Sequence, residues 1–232
     1  SDERIAALAP KILSYDRPGY FEYAGASGGF LDAFGYPFCR GRILDTIEQD
    51  DGQYDTSRDV FWASGACMMV RADVFRKLGG FDGDFFAHME EIDFCWRAQL
   101  AGYRIMVEPR SRVFHLGGGT LPNNSPRKLY LNYRNNLSML YKNLSKRTLW
   151  PLLFTRMVLD GMSAFVFLMQ GRRDFFKVVF RSHMDFYKIL GMLRAKRRAI
   201  QRDRTGSAAG NIYRGSIILR HALGRRTFGR MM

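Results

Sequence analysis

The sequence predicts a mixed α/β fold followed by an α-helical region. Strand-like and helix-like segments mix through the first half, from the apolar run Leu8–Ser14 onward. The second half has the spacing of amphipathic or buried helices. Charge divides at the same place: residues 1–139 carry 16 Lys+Arg against 18 Asp+Glu, and residues 140–232 carry 20 against 4, balances of −2 and +16. Such asymmetry separates an approximately neutral unit, assigned to residues 1–122, from a basic one, assigned to residues 123–232 and suited to an anionic partner. A composition that is 47% hydrophobic supports a real core and excludes a disordered chain.

Each element follows from local chemistry. Leu8–Ser14 reads as a short strand, and Arg17–Asp55, rich in Gly, Pro and Asp, reads mostly as loop. Val60–Ala63 and Ala66–Val70 read as strands separated by Ser64-Gly65. Arg71–Leu78 reads as a helix ended by a left-handed cap at Gly79-Gly80. A second helix is predicted from Glu90 to Ala101, where Ile92, Cys95, Trp96, Gln99 and Leu100 recur at helical spacing until Gly102 stops it. Arg104–Glu108 and Val113–His115 then read as two strands flanking Pro109. Cys39, Cys67 and Cys95 form no CxxC pair, which argues against a disulfide framework or cysteine zinc site and fits a reducing, cytoplasmic setting.

In the second half, Ser125–Asn143 carries Leu129, Leu137, Leu140 and Tyr141 in helical register. Leu149–Met169 is the most apolar segment and long enough to span a bilayer. Arg156 and Asp160 lie inside it at i,i+4, and an unpaired charge at the bilayer centre costs about 2.5–3.5 kcal/mol on insertion scales. That cost favours an interfacial or protein-packed helix over a spanning one. Arg172–Leu193 is amphipathic and basic, and Lys196–Arg204 continues its positive face, the composition of a membrane-surface helix. No DNA- or RNA-binding motif accompanies the charge, so an anionic membrane surface ranks above nucleic acid as partner.

The richest chemistry lies between Gly79 and Arg97, where Asp82, Asp84, Glu90, Glu91 and Asp93 are interleaved with Phe81, Phe85, Phe86, Phe94 and Trp96, with His88 between. Carboxylates crowded among aromatics lose solvation and repel one another, which moves their pKa toward a catalytic range. Glu90 and Glu91 fall in the first turn of a helix, where the dipole favours negative charge. Asp93 and Arg97 stand at i,i+4 and can pair, whereas Glu91 has only Phe94 and Cys95 downstream on its face. Glu91 is therefore the better candidate to face a substrate. Asp82-Gly83-Asp84 has the Asp-x-Asp form of a metal motif, yet it follows a Gly-Gly turn rather than an apolar strand, which favours a loop. His115 ends a short strand before Gly117–Gly119, a setting that admits a metal or phosphate contact. The glycines lack the Lys of a P-loop and the GxGxxG spacing, so they support phosphate cradling only weakly.

Four pieces together carry a family resemblance: WASGACMMVRADVFRKLGGFD (Trp62–Asp82), FFAHMEEIDFCWRAQLAGYRI (Phe85–Ile105), VFH (Val113–His115) and YRNNL (Tyr133–Leu137). They resemble the C-terminal part of the catalytic domain of family 2 glycosyltransferases, which have the GT-A fold, and they cover about half the chain. The basic helical tail is similar to that of bacterial members that build cell-surface polysaccharide. The resemblance implies an inverting transferase that uses a nucleotide-sugar donor and a glycan or lipid-linked acceptor. The family's Glu-Asp motif falls on Glu90-Glu91, which implies Glu91 as general base. The same analogy places Trp62, Gly65, Asp82 and His88 on the acceptor side and His115 as a ligand to a divalent metal, Mg or Mn. The main Asp-x-Asp ligand motif and the nucleotide-binding half of the fold have no match in this sequence. The chain, opening SDER, is thus expected to be the acceptor part of a partial GT-A domain with its tail, inactive alone. The setting implied is the cytoplasmic face of the inner membrane, peripheral or with one embedded helix. A non-catalytic membrane-surface module, with the acidic run only a capped helix, is the competing reading.

Overall fold

The computed structural model describes residues 2–117 and 125–230, which form two compact units. The first comprises Ser1–Phe81, Phe94–Gly117 and Thr205–Met232; the second comprises Asp82–Asp93 and Gly118–Arg204.

The first unit is mixed α/β. Its longest pairing joins β1 (Ile5–Ser14) to a strand later in the chain, Arg104–His115, in parallel. Five short strands follow β1: β2 (Gly29–Asp32), β3 (Pro37–Cys39), β4 (Arg42–Ile43), β5 (Thr46–Ile47) and β6 (Arg58–Asp59). Then come β7 (Met69–Val70), helix α1 (Ala72–Lys77), helix α2 (Glu90–Leu100) and β8, the Arg104–His115 strand. One sheet has the order β6-β8-β1-β7 and the other begins β5-β4-β3-β2. The segment expected to be loop thus supplies most of the second sheet, in strands of two to four residues. Pieces that short carry no alternation long enough to read. Val60–Ala63, expected as a strand, forms none; it is held by an isolated bridge from Trp62 to Gly29 and by the Val60 N–H on the Ile105 carbonyl at 2.9 Å.

The two strands expected around Pro109 are one. Pro10 of β1 pairs with Glu108 and Lys11 with Arg112, so Pro109, Arg110 and Ser111 bulge out of register. A proline that cannot donate to a ladder is accommodated by this bulge. Ile12, Ile105 and Val107 are fully buried in the sheet. Lys11, also fully buried, donates to Asp50 at 2.7 Å and pairs with Asp55, which keeps its charge partnered.

The second unit is helical: α3 (Pro126–Asn143), α4 (Lys146–Met169), α5 (Arg173–Lys188) and α6 (Leu190–Arg202). Ser125 caps α3 by accepting from the Lys128 N–H at 3.2 Å, and Ser145 caps α4 by accepting from the Thr148 N–H at 3.3 Å. The basic segment expected to run continuously past Arg172 is two helices, broken at Ile189. Arg197 of α6 donates to the carbonyls of Tyr141 and Leu144, both at 2.6 Å, where α3 ends. A guanidinium at a helix C-terminus satisfies carbonyls that have no intrahelical partner.

Beyond α6 the chain returns to the first unit. Strand β9 (Ile212–Tyr213) pairs in parallel with β2, and helix α7 (Ile217–Ala222) follows. Asp32 accepts from the Ile217 N–H at 3.1 Å, and Phe228 joins Phe30, Phe38 and Tyr54 in an aromatic cluster.

Candidate active site

The helical unit contains the centre of the acidic run. Asp82 opens a short 3-10 turn, Gly83–Phe85, its carboxylate accepting from the Asp84 N–H at 3.2 Å. Three non-glycine residues with positive φ follow: Phe86 at 64°, His88 at 67° and Met89 at 73°. Phe86, with ψ −57°, sits at the centre of a γ-turn closed by the Ala87 N–H on the Phe85 carbonyl at 2.8 Å, the rare and strained form of that turn. Left-handed backbone costs a non-glycine residue about 1–3 kcal/mol and persists only where surroundings enforce it. The Asp93 N–H then bonds to the Met89 carbonyl at 2.8 Å, which starts α2 and sets Glu90 and Glu91 in its first turn.

Burial dominates the electrostatics of this turn. Glu91 has its carboxyl pKa pushed up to about 7, first by desolvation and then by the like charge of Glu90, with first-turn N–H groups pulling partly the other way. Burial also raises Glu90. His88 is lowered, by burial and then by the charge of Lys128. His88 Nε2, Glu90 Oε2 and Glu91 Oε2 are all shut off from solvent with no hydrogen-bond partner among the described residues. Three such atoms within four residues are an unusual concentration for a folded protein. Glu90 and Glu91 sit together as expected, and His88 shares their turn.

The other acids of the run do different work. Lys142, 1% exposed on α3, lies between Asp82 at 2.6 Å and Asp93 at 2.9 Å, and Asn143 donates to Asp93 at 2.7 Å. Lys196 of α6 adds a second contact to Asp82 at 2.5 Å and also pairs with Asp84. Burial acts to raise the Asp82 pKa, but the hydrogen bonds from Lys142 and Lys196 prevail and hold it at about 2. Asp82, expected on the acceptor side, is thus a permanently charged tether between the loop and two helices of this unit. Arg97, in the other unit, donates to the carbonyls of Leu78 and Gly80, both at 2.7 Å.

The mixed unit holds the remaining expected residues. Trp62 is 3% exposed, lies against Gly29, and donates its indole N–H to the Phe30 carbonyl at 3.0 Å. Gly65 is exposed in a turn closed by the Cys67 N–H on the Ser64 carbonyl at 3.1 Å. His115 places Nδ1 3.3 Å from Glu22, whose carboxylate is buried. Gly118 and Gly119, weighed as phosphate contacts, lie outside the described residues. No group of three or more His, Cys, Asp or Glu side chains that could hold a metal occurs among the described residues. His115 and Glu22 offer two donors of the six or so oxygens and nitrogens a Mg or Mn ion requires, so they do not by themselves fit one.

Lys142 escaped the sequence reading, although a signal existed. Asn135, Ser138 and Lys142 recur at helical spacing and all are buried, so α3 turns a polar stripe inward. Arg156 and Asp160 of α4, noted in the sequence for their i,i+4 spacing, pair at 2.8 Å. Asn136 accepts from Arg156 at 2.5 Å, and His183 lies 3.2 Å from Asp160. Arg156 and Asp160 are thus buried against α3 and α5. Trp150, Phe154, Met162, Phe165 and Met169 of α4 are exposed instead, as are Phe180 and Tyr187 of α5. Among the described residues α4 alone is long and apolar enough to cross a membrane.

Parts of the chain are similar in sequence to known proteins. The N-acetylglucosaminyl-diphospho-decaprenol L-rhamnosyltransferase of Mycobacterium tuberculosis is 30% identical over 115 residues, 48% of this chain and 38% of that protein. The rhamnosyltransferase WbbL of Escherichia coli K12 is 39% identical over 85 residues, 37% of this chain and 31% of that protein. The low-salt glycan biosynthesis hexosyltransferase Agl10 of Haloferax volcanii is 40% identical over 64 residues, 28% of this chain and 21% of that protein. The matched stretches therefore span less than two fifths of these relatives' own lengths. The family profile described as Glycosyl transferase family group 2 matches residues 41–170, more than half of the chain and inclusive of the strained turn, both glutamates and the polar stripe of α3. The chain belongs to the family 2 glycosyltransferases.

Proposed function

We propose that this chain carries the general-base side of an inverting glycosyltransferase, moving a sugar from a nucleotide-sugar donor to a glycan or lipid-linked acceptor. The observation that carries the reading is Glu91, a desolvated carboxylate with an unpartnered oxygen and a pKa of about 7. A base works best when its pKa lies near the operating pH. Glu91 takes the proton of the acceptor hydroxyl as that oxygen bonds to the anomeric carbon. The bond from that carbon to the diphosphate oxygen breaks on the opposite face, and the nucleoside diphosphate leaves with the electron pair. One displacement inverts the anomeric configuration. Glu90 raises the Glu91 pKa through its like charge, and His88, neutral at physiological pH under its lowered pKa, is suited to hydrogen-bond an acceptor hydroxyl.

The acceptor's nature is inferred from chemistry beside this turn. One relative's name specifies a diphospho-decaprenol substrate, and the exposed aromatic and aliphatic face of α4 and α5 suits a lipid surface. Arg156 and Asp160, paired and buried inside the unit, leave α4 an apolar outer face that suits a membrane surface.

The test is the full-length Glu91→Gln enzyme, supplied with nucleotide-activated hexoses, L-rhamnose among them. Donor binding should persist while transfer falls by about 10²–10⁴-fold, the usual contribution of a general base. Undiminished transfer would exclude Glu91 as the base. A product that keeps the donor's anomeric configuration would exclude the single displacement.

A further inference from the structure

The strained turn before Glu90 has an identifiable restraint. Asn135, 1% exposed on α3, directs its side-chain amide N–H groups at three backbone carbonyls: Phe85 at 2.9 Å, Ala87 at 2.8 Å and His88 at 2.8 Å. Its amide oxygen accepts from Arg134, from Nε at 2.9 Å and from a terminal nitrogen at 2.7 Å. The same guanidinium donates to the carbonyls of Asp84 at 2.8 Å and Phe85 at 3.3 Å. Adjacent residues of α3 thus grip every carbonyl from Asp84 to His88 except that of Phe86, at the tip of the γ-turn. The gripped segment has positive φ at Phe86 and His88, and Met89, the next residue, shares it.

We infer that Arg134 and Asn135 are positioning residues whose hydrogen bonds hold the Asp84–His88 carbonyls and so set the place of the Glu91 carboxylate. Left-handed geometry at three non-glycine residues persists only where partners over-determine it. An amide is suited to this because it supplies two donors toward the carbonyls and an acceptor toward the guanidinium at once. The carboxylate of aspartate has the same shape with no donor. This assignment rests on Glu91 being the base, but it names residues that touch neither acceptor nor donor.

The experiment compares Asn135→Asp and the milder Arg134→Lys with the full-length wild-type and Glu91→Gln enzymes. Amide hydrogen exchange of residues 84–91 reads the grip directly, and the pH dependence of kcat reads the base. Besides Glu90 on its own helix, the charged or titratable groups at this turn are His88, Asp84 with its partner Lys196 of α6, and Arg127, Lys128 and Arg134 of α3; Arg134→Lys conserves every charge, whereas Asn135→Asp adds a carboxylate. Asn135→Asp should speed exchange in that peptide and lower kcat about 100-fold, as a 1 Å misplacement does; because its new charge also acts on Glu91, the acid limb of the profile is read on the charge-conserving Arg134→Lys, where it should shift away from about 7. Arg134→Lys should do the same to a smaller extent, with the KM for donor little changed. Loss of folded protein alone would scale the rate without moving the profile. Unchanged exchange at residues 84–91 would overturn the grip. Faster exchange with the profile unmoved, while Glu91→Gln is inactive, would overturn the positioning role. An active Glu91→Gln enzyme would instead refute the base, and exchange alone would still decide the grip.

Discussion

Replacing Glu91 by Gln is expected to stabilise the folded protein while abolishing transfer, and the stabilisation should depend on pH. The ordinary glutamate pKa is 4.5, and burial beside Glu90 raises that of Glu91 to about 7. Between those values the folded state binds more protons than the unfolded one, so stability falls as pH rises through this window. The gap corresponds to about 3 kcal/mol, present below pH 4.5 and lost above pH 7. Glutamine has no charge to desolvate, so the loss disappears in the variant. Urea denaturation of both full-length proteins at several pH values gives the difference, from which every titration they share cancels. The Glu91→Gln protein should match wild type near pH 4.5 and exceed it by an amount approaching 3 kcal/mol at about pH 8. A difference that does not change with pH would refute the desolvated carboxylate, and with it the physical basis for Glu91 as base. Stability gained where activity is lost is the usual signature of a group kept in an unfavourable place for its chemistry.

Other expectations follow from single contacts. Lys142→Ala removes the cation between the buried carboxylates of Asp82 and Asp93 and should destabilise the protein by about 3–5 kcal/mol in chemical denaturation. Gly29→Ala would put a Cβ 2.0 Å from the Trp62 ring, and the strain should lower stability by at least about 1–3 kcal/mol. If the exposed face of α4 docks on lipid, Phe154→Ser with Phe165→Ser should weaken flotation with anionic liposomes by about tenfold or more, as burying each ring is worth about 1.5–3 kcal/mol. Undiminished flotation would place the membrane contact elsewhere.

Much of the site's neighbourhood was legible in the sequence. The helix beginning at Glu90 was visible because an acidic first turn precedes an apolar stripe and Gly102 ends it; the helix runs Glu90–Leu100. The left-handed cap at Gly79-Gly80 was visible because only glycine adopts it cheaply, and φ there is 75° and 67°. The left-handed turn at Phe86, His88 and Met89 was not visible, since nothing in those residue types favours it; α3, about fifty residues further along the chain, holds it. Short strands of the second sheet were hidden for a related reason. Two-residue pairings such as β4 with β5 are set by their partners, not by their own pattern.

The sequence by itself determined the family, the glutamate pair, the helix that carries it and the separation of charge between the chain's halves. Those properties are local or compositional, and local patterns survive without a fold. Tertiary structure decided what each carboxylate does. Asp82 became a tether because Lys142 and Lys196 reach it from α3 and α6. Glu91 remained a desolvated acid because no described side chain hydrogen-bonds its buried oxygen. Tertiary packing likewise turned Arg156 and Asp160 of α4 inward and left Trp150, Phe154 and Phe165 outward. A charge's pKa and role depend on what lies within a few ångströms, and most of those neighbours are distant in the chain.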